Sequence, residues 1–525
     1  MTSTEIHWAD LAAENLIKIK NKKKYVCAAG ITPSGTVHIG NFREVITVDL
    51  VSKALKDKKK SVRFIYSWDD YDVFRKVPIN MPNQKMLQSY LRKPIVDVPD
   101  PYGKEESYAR YHEVEVEEAI KKVGIHPEFL YQSKKYRACE YADQIIQALK
   151  NKEKIKTILD KYRVDPLPET WLPVTVFSLK DKTDKVKNLC WDEKHTISYE
   201  LEDGTVEHAD IYKSGNVKLL WRIDWPMRWA WEKVDCEPAG KDHSTVGGSF
   251  DTGKEIVKIF NWEPPVYHMY NFISIKGGAG KISSSSGEVI TLNDCLEIYE
   301  PQIIRWLFAG TRPSAEFAIS FDADVIKIYE DFDKCERIYF GEQKNVSEKE
   351  LANQKRIYEF SCVEEGKIPK TILFQPGFRH LTNVLQQNEL DIKKTIGYFE
   401  KQIKNKEDKA RLQTRAVCAK NWIEKYAPEE FKFTINHAIS ENVKAELTKE
   451  QKAALHELAK QLAEKVWEDK DLHEECYIIL KNNNLEPKDF FSAAYKALIG
   501  KEKGPKLAAF LIEIKERAIK LLKSV

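Results

Sequence analysis

The chain of 525 residues lacks several things, and each absence removes a class of protein. No stretch approaches the ~18 uninterrupted apolar residues of a membrane-crossing helix, so no span is expected. The N-terminus carries Glu5, Asp10 and Glu14 and has no apolar core, a poor match to a secretory or transit peptide. Paired cysteines are missing: the nine thiols are scattered, with no two within four residues of each other. That excludes a CxxC zinc knuckle or redox pair, and the odd count argues against a full disulfide framework. Reduced cysteines in a cytoplasmic protein are the expectation. Charge of one sign is missing too. The 84 basic and 81 acidic residues leave a net charge of only +3, so any surface for a polyanion must be local.

What is present is ordinary globular material, 42% hydrophobic and 31% charged. At ~100–200 residues per domain the length predicts three or four domains. Residues 6–20 place Trp8, Leu11, Ala12, Leu16 and Ile19 on one helical face. Tyr25 to Ala29 reads as a short buried strand, Gly30 to Gly40 as a loop of small residues, and Val45, Val48, Val51 and Leu55 as a helix. Val62 to Trp68 reads as a second strand, ending at Asp69-Asp70. Strand, glycine-containing loop, helix and strand make a βαβ unit, which builds a parallel sheet with ligands at the strand C-termini. Residues 98–220 break the pattern with prolines, helical stretches near 107–122 and 140–161, and an alternating piece at 171–213. They read as an insertion. The α/β pattern resumes near Trp221, with an alternating strand from Val266 to Ile275 and a polar loop from Lys276 to Gly287. After Asp294 the chain reads as helical, with long amphipathic segments at 408–426, 448–469 and 505–522.

Two loops carry chemistry. In Thr32-Pro33-Ser34-Gly35-Thr36-Val37-His38-Ile39-Gly40-Asn41, a histidine beside the opening turn of a helix can donate to phosphate oxygens, and Gly40 lets a ligand approach the backbone. In Lys276-Gly277-Gly278-Ala279-Gly280-Lys281-Ile282-Ser283-Ser284-Ser285-Ser286-Gly287, Lys281 supplies a point charge suited to phosphate on a loop held at both ends. The bland readings are a common His-x-Gly loop and a flexible polar linker.

Together the loops resemble the HIGH and KMSKS signatures of class I aminoacyl-tRNA synthetases, about 240 positions apart, with Asn41 in the last place of the first. Ser284 stands where the second lysine of KMSKS is usual, which leaves the charge to Lys276 or Lys281. Longer blocks narrow the likeness to the class I lysyl-tRNA synthetase family: Gly30 to Glu44, Trp221 to Trp229, Glu237 to His243, the Lys276–Gly287 loop, and Gly504 to Leu507. The resemblance implies an α/β, Rossmann-like parallel-sheet catalytic domain (1–97 and 221–290) with an inserted α+β acceptor-binding domain (98–220). A stem-contact region (291–345) and an all-α anticodon-binding region (346–525) would follow. It implies a lysine pocket of Gly30, Thr32, Trp221, Asp224, His243 and Tyr270. ATP would meet Thr32, Pro33, Ser34, Gly35, His38, Gly40, Asn41, Asp242, Lys281 and Ser284. His38, Asn41, Lys281 and Ser283 would act in catalysis. An ammonium-tipped substrate needs an anion, with Asp224 the first choice and Glu44 the second. Trp221 and Tyr270 could stack on its stem. The bland readings stand beside these: core packing for the Trp-rich run, pairing of Asp224 with Arg222 or Arg228, and a satisfied loop histidine at His243.

The expected reaction has two steps. Lysine attacks the α-phosphate of ATP, whose Mg2+ arrives with the nucleotide, and a terminal ribose hydroxyl of tRNA(Lys) then attacks the adenylate. Because phosphoryl chemistry of this kind needs chiefly positioning and charge stabilisation, His38 and the start of the following helix would hold phosphates and Lys281 would neutralise pyrophosphate. A lysine analogue shorter by one methylene would be rejected by only ~1–3 kcal/mol. Phe378, Arg379 and His380 are candidates for reading single-stranded bases. The stretches that in some family members hold metal offer only Cys190, His195 and His208, so no structural zinc is expected. A monomer off the membrane is expected. Three rivals stand beside this: another class I synthetase such as one for glutamate, against which the apolar Ala28 stands where an arginine would be needed; a small-molecule nucleotidyltransferase with the same core, which would not need the ~180 helical residues after the polar loop; and an RNA-binding paralogue without activity, favoured by Ser284 and opposed by His38 and Lys281.

Overall fold

The computed structural model describes residues 7–276, 289–364 and 366–525, the side chains of Asp242 and Ser244 excepted. The chain folds as two compact units. One comprises Met1–Leu296, Pro301–Ile319 and Cys335–Ile368, the other Glu297–Glu300, Ser320–Lys334 and Pro369–Val525.

The first unit is built on a five-stranded sheet. Its strands are β1 (Lys24–Ile31), β2 (Ser61–Trp68), β3 (Glu128–Tyr131), β9 (Cys236–Gly240) and β10 (Val266–Tyr270), in the order β10-β9-β1-β2-β3. Every pairing is parallel. The chain leaves β1 toward one side of the sheet and returns on the other at β9. The reversal of strand order between them makes a crevice at the strand C-termini, where doubly wound folds bind ligands. Between β3 and β9 lie β4 (Val174–Val176) paired with β8 (Val217–Leu219), and an antiparallel meander of β5 (Lys187–Trp191), β6 (Thr196–Glu200) and β7 (Val206–Asp210).

Helix α1 (Trp8–Lys20) precedes β1, and α2 (Ile39–Asp57) joins β1 to β2. Helix α2 is apolar on most of its surface, from Phe42 to Leu55, and is accordingly buried. In α1 the buried face is Ala9, Ala12, Ala13 and Leu16, whereas Leu11 and Ile19 are exposed. The helix is as its sequence predicts, but small alanines rather than those two large residues allow its close packing.

The structure differs from the sequence reading in two further places. Strand β3 of the main sheet falls inside the 98–220 stretch, because four residues are too few to show an alternation. The strand expected from Val266 to Ile275 is broken at Asn271-Phe272 into β10 and β11 (Ile273–Lys276), and β11 pairs instead with β12 (Phe317–Ser320). The buried Arg43 guanidinium fixes that break. It donates to the carbonyls of Asn271 and Phe272 at 3.1 and 3.3 Å and of Arg312 and Ala315 at 2.7 and 2.6 Å.

The second unit is helical through most of Pro369–Val525. The expected amphipathic segments appear as helices Lys406–Lys425, Lys449–Glu464 and the pair Leu507–Glu513 and Lys515–Lys523. A Thr448–Gln451 capping box starts the second of these. Leu455, Leu458, Leu472, Phe490, Leu498, Leu511 and Leu522 belong to one apolar core there. Phe378 is fully buried and stacks on Tyr329 at 3.9 Å between ring centroids, so its ring is spent on packing and is withdrawn as a base-stacking candidate. Arg379 and His380 are exposed.

Candidate active site

The C-terminal ends of β1 and β10 bring two residues of the predicted lysine pocket, Gly30 and Tyr270, to one carboxylate, Glu44. At the end of β1, Gly30 passes so close to β2 that a Cβ would lie 2.7 Å from the Ser67 carbonyl oxygen. Its N–H donates to Glu44 Oε1 at 2.9 Å, and the Tyr270 hydroxyl, from the end of β10, donates to Glu44 Oε2 at 2.7 Å. Glu44 therefore joins two elements of the predicted lysine pocket. Burial, with Glu237 and Asp69 nearby, pushes its carboxyl up to about 8 against the pull of those two hydrogen bonds. Among the described residues, no lysine or arginine forms an ion pair with Glu44.

Asp224 is situated differently. It is buried in the helix Trp221–Glu232, accepts from the Tyr136 hydroxyl, and lies 3.1 Å from Arg228 Nε and 3.8 Å from Lys218 Nζ. Arg228 also reaches Asp69 at 2.7 Å and Ser67 at 2.8 Å. Of the two arginines weighed as partners, Arg228 is the one engaged, while Arg222 is exposed and bonds the Gly247 carbonyl. Asp72 takes the Thr32 hydroxyl at 3.0 Å and Lys218 at 2.9 Å. Burial raises Asp69 to about 6, although Arg228 pulls the other way.

Trp221 stays half-buried, with its ring stacked on Trp225 at 5.3 Å and the Arg228 guanidinium 5.7 Å from its centroid. Trp225 continues to His243, 5.9 Å between rings. Trp225 and Trp229 both donate to Glu237, at 3.0 and 2.6 Å, and burial lifts that carboxyl to about 7. Trp225 and Trp229 are core, and Trp221 packs half-buried at the edge of that core. Sequence reasoning assigned no role to Asp69, Asp72, Lys218 or Glu237. The Asp69-Asp70 pair at a strand end was the available signal for the first.

The nucleotide-side residues gather at the start of α2. His38 occupies the N-cap position with extended backbone, and no side chain caps the helix, although Ile39 N–H and Asn41 N–H already donate to the Ile290 and His38 carbonyls; the helix dipole still favours an anion at this end. At Gly40 a Cβ would come within 2.8 Å of the His38 ring, so a larger residue would have to displace that ring. In the preceding turn Pro33 and Gly35 are buried, Ser34 is exposed, and the Ser34 carbonyl accepts from Tyr108 at 3.1 Å. A cavity of about 250 Å³ beside the turn is lined by His38, Asn41, Tyr66, Glu115, Thr291 and Asp294 among others. Lys281, Ser283 and Ser284 lie outside the described residues, as does the Asp242 side chain. The described residues that flank the polar loop are nevertheless tied to the histidine turn, since Ile39 N–H donates to the Ile290 carbonyl at 2.7 Å. Among the described residues, no cluster of three or more His, Cys, Asp or Glu side chains is arranged to hold a metal ion.

Comparison with known proteins adds two findings. The family model described as tRNA synthetases class I (K) matches residues 6–364. The chain is 51% identical to the lysine–tRNA ligase of Borrelia garinii subsp. bavariensis over 511 residues, 96% of each chain. It is 46% identical to that of Treponema pallidum, again over 96% of each, and 42% identical to that of Thermococcus kodakarensis over 99% of each.

Proposed function

The chain belongs to the class I (K) tRNA synthetases, and from that premise we propose that it is a lysine–tRNA ligase whose substrate ammonium is held by Glu44. It activates lysine with ATP and transfers it to tRNA(Lys). The observation that carries the pocket assignment is the Glu44 carboxylate, fixed by Gly30 N–H and the Tyr270 hydroxyl and without a cation of its own chain among the described residues. Asp224, the first candidate from sequence, already has Arg228 and Lys218, so a further ammonium would gain less there.

Glu44 lies six residues beyond His38, about 9 Å further along the helix axis. An extended lysine with its ε-ammonium on Glu44 can therefore direct its carboxylate back toward the phosphates at the helix start. Trp221 borders the aliphatic stem, and Thr32 offers an oxygen to the α-ammonium. His38 and the start of α2 hold the triphosphate. The carboxylate attacks the α-phosphorus in line, and pyrophosphate leaves with Lys281 as its counter-charge. Magnesium travels with ATP, bound to phosphate oxygens and water. The adenylate then passes its lysyl group to a terminal ribose hydroxyl, which the class implies is the 2′-OH. Cytoplasmic location and a monomeric state accompany this reading.

ATP–pyrophosphate exchange with each of the twenty amino acids tests it. Exchange with lysine alone is expected. Exchange with glutamate and not with lysine would overturn the assignment.

A further inference from the structure

Lys218 is a buried lysine that the reaction as described does not use. It lies in β8, paired with Thr175 of β4, three residues before the helix that carries Trp221, Asp224 and Arg228. Its side chain is 6% exposed, and its ammonium stands 2.9 Å from Asp72, 3.8 Å from Asp224 and 5.6 Å from the Tyr136 ring centroid. Asp72 in turn accepts from Thr32 at 3.0 Å. The result is a line from the intervening segment to the predicted amino-acid pocket: Lys218, Asp72, Thr32.

We propose that Lys218 is a positioning residue for amino-acid binding: by holding Asp72 as an anion it commits the Thr32 hydroxyl hydrogen to Asp72 and leaves only oxygen lone pairs facing the crevice. The physical ground is the donor and acceptor inventory. A threonine hydroxyl has one hydrogen to give, and an ionised carboxylate can only accept. With its hydrogen spent on Asp72, Thr32 presents an acceptor, which suits an ammonium and repels a second acceptor. Without Lys218, Asp72 loses the cation that most opposes its burial, and a proton taken up there could be donated to Thr32. The Thr32 hydrogen would turn toward the crevice and oppose the substrate ammonium. The electrostatics agree: burial would raise Asp72, yet its carboxyl sits below the usual value because Lys218 is beside it. Burial opposes the charge on Lys218 as well, and Asp72 and Asp224 more than offset this. Arg228 is engaged by Asp69 and Asp224 and forms no ion pair with Asp72, and its charge adds to that of Lys218 in favouring the Asp72 carboxylate.

This inference rests on the lysine–tRNA ligase reading, and the experiment separates the two. ATP–pyrophosphate exchange by the full chain is measured with lysine varied at saturating ATP, and with ATP varied at saturating lysine, for wild type, Lys218→Met, Lys218→Arg, Asp72→Asn and the double variant. Lys218→Met is expected to raise the KM for lysine at least tenfold and to leave the KM for ATP within twofold. Lys218→Arg should recover most of that loss. Asp72→Asn, which keeps the shape of the side chain and reports on the same link should Lys218→Met fail to fold, is expected to raise the lysine KM by a similar factor. The double variant should be no worse than the poorer single one, because both break the same link. An unchanged lysine KM in either single variant, equal rises in both KM values, or multiplying effects in the double variant would overturn the proposal. Wild-type exchange with a different amino acid would instead overturn the functional reading, and the role of Lys218 would then be read from the KM of that amino acid.

Discussion

In the helical unit, the buried Arg415 guanidinium lies 2.7 Å from Glu300 and 2.8 Å from Asp333, and Arg411 adds a second contact to Glu300 at 3.4 Å. In the catalytic unit, the Glu44 carboxylate receives two neutral hydrogen bonds and, among the described residues, no cation. Both groups are removed from most solvent. The first set is closed within the chain, so its charges contribute to one packed arrangement. The second holds no cation of its own chain among the described residues, and burial drives its carboxyl up to about 8. A shifted acid at the strand ends beside predicted pocket residues points to a ligand site, whereas Glu237, shifted as well but enclosed by Trp225 and Trp229, and the Arg415 set point to structure.

The largest expected effect breaks the closed set. Arg415→Met leaves Glu300 and Asp333 without their central cation and should cost about 3–5 kcal/mol of stability, read by urea denaturation. The lysine KM of the protein that remains folded should not change. Next, Glu44→Gln removes the anion but retains the side-chain shape. It should weaken lysine binding by about 2–5 kcal/mol with little change in thermal midpoint, read by exchange kinetics and a melt. Equal losses of stability in the two variants would erase the distinction. Tyr270→Phe removes one hydrogen bond from the same carboxylate and should weaken lysine binding by about 1.5–3 kcal/mol.

The smallest effect is in pH dependence. Below about 8 the free site holds a proton on Glu44 that an incoming ammonium must displace. The lysine KM should therefore fall as pH rises from about 6.5 to about 7.5, well before the side-chain ammonium of the substrate titrates, and the Glu44→Gln profile should be flatter over the same range. The linked effect on folding has the opposite sign. A carboxyl raised in the folded state binds its proton more tightly there, so its contribution to stability is lost as pH climbs from the ordinary carboxylate range through about 8. Saturating lysine should reduce that loss.

Much of this could be read from sequence where local chemistry decides the structure. The change from an apolar run to Gly30–Gly40 and then to helical spacing marks β1, the turn and α2, and all three are present. Gly40 is explained by one neighbouring ring, two residues away. The rest depended on distant partners. Lys218 and Asp72 are 146 positions apart, and nothing near Asp224 announces that this lysine and Tyr136 occupy it. Periodicity on α1 could not tell Leu11 from Leu16, because the alanines that allow close packing carry a weak apolar signal. Strand β3 was hidden by its length, and the break at Asn271 by its cause, an arginine more than two hundred residues earlier.

The central claim is that Glu44 reads the side-chain amine. The most direct test is the ratio of kcat/KM in ATP–pyrophosphate exchange for lysine over norleucine, the analogue that lacks only that amine. Wild type should favour lysine by several orders of magnitude, and Glu44→Gln should reduce that ratio at least a hundredfold, chiefly through lysine. An unchanged ratio in the variant, with both amino acids weakened alike, would place Glu44 on the α-ammonium or outside the pocket and contradict the account.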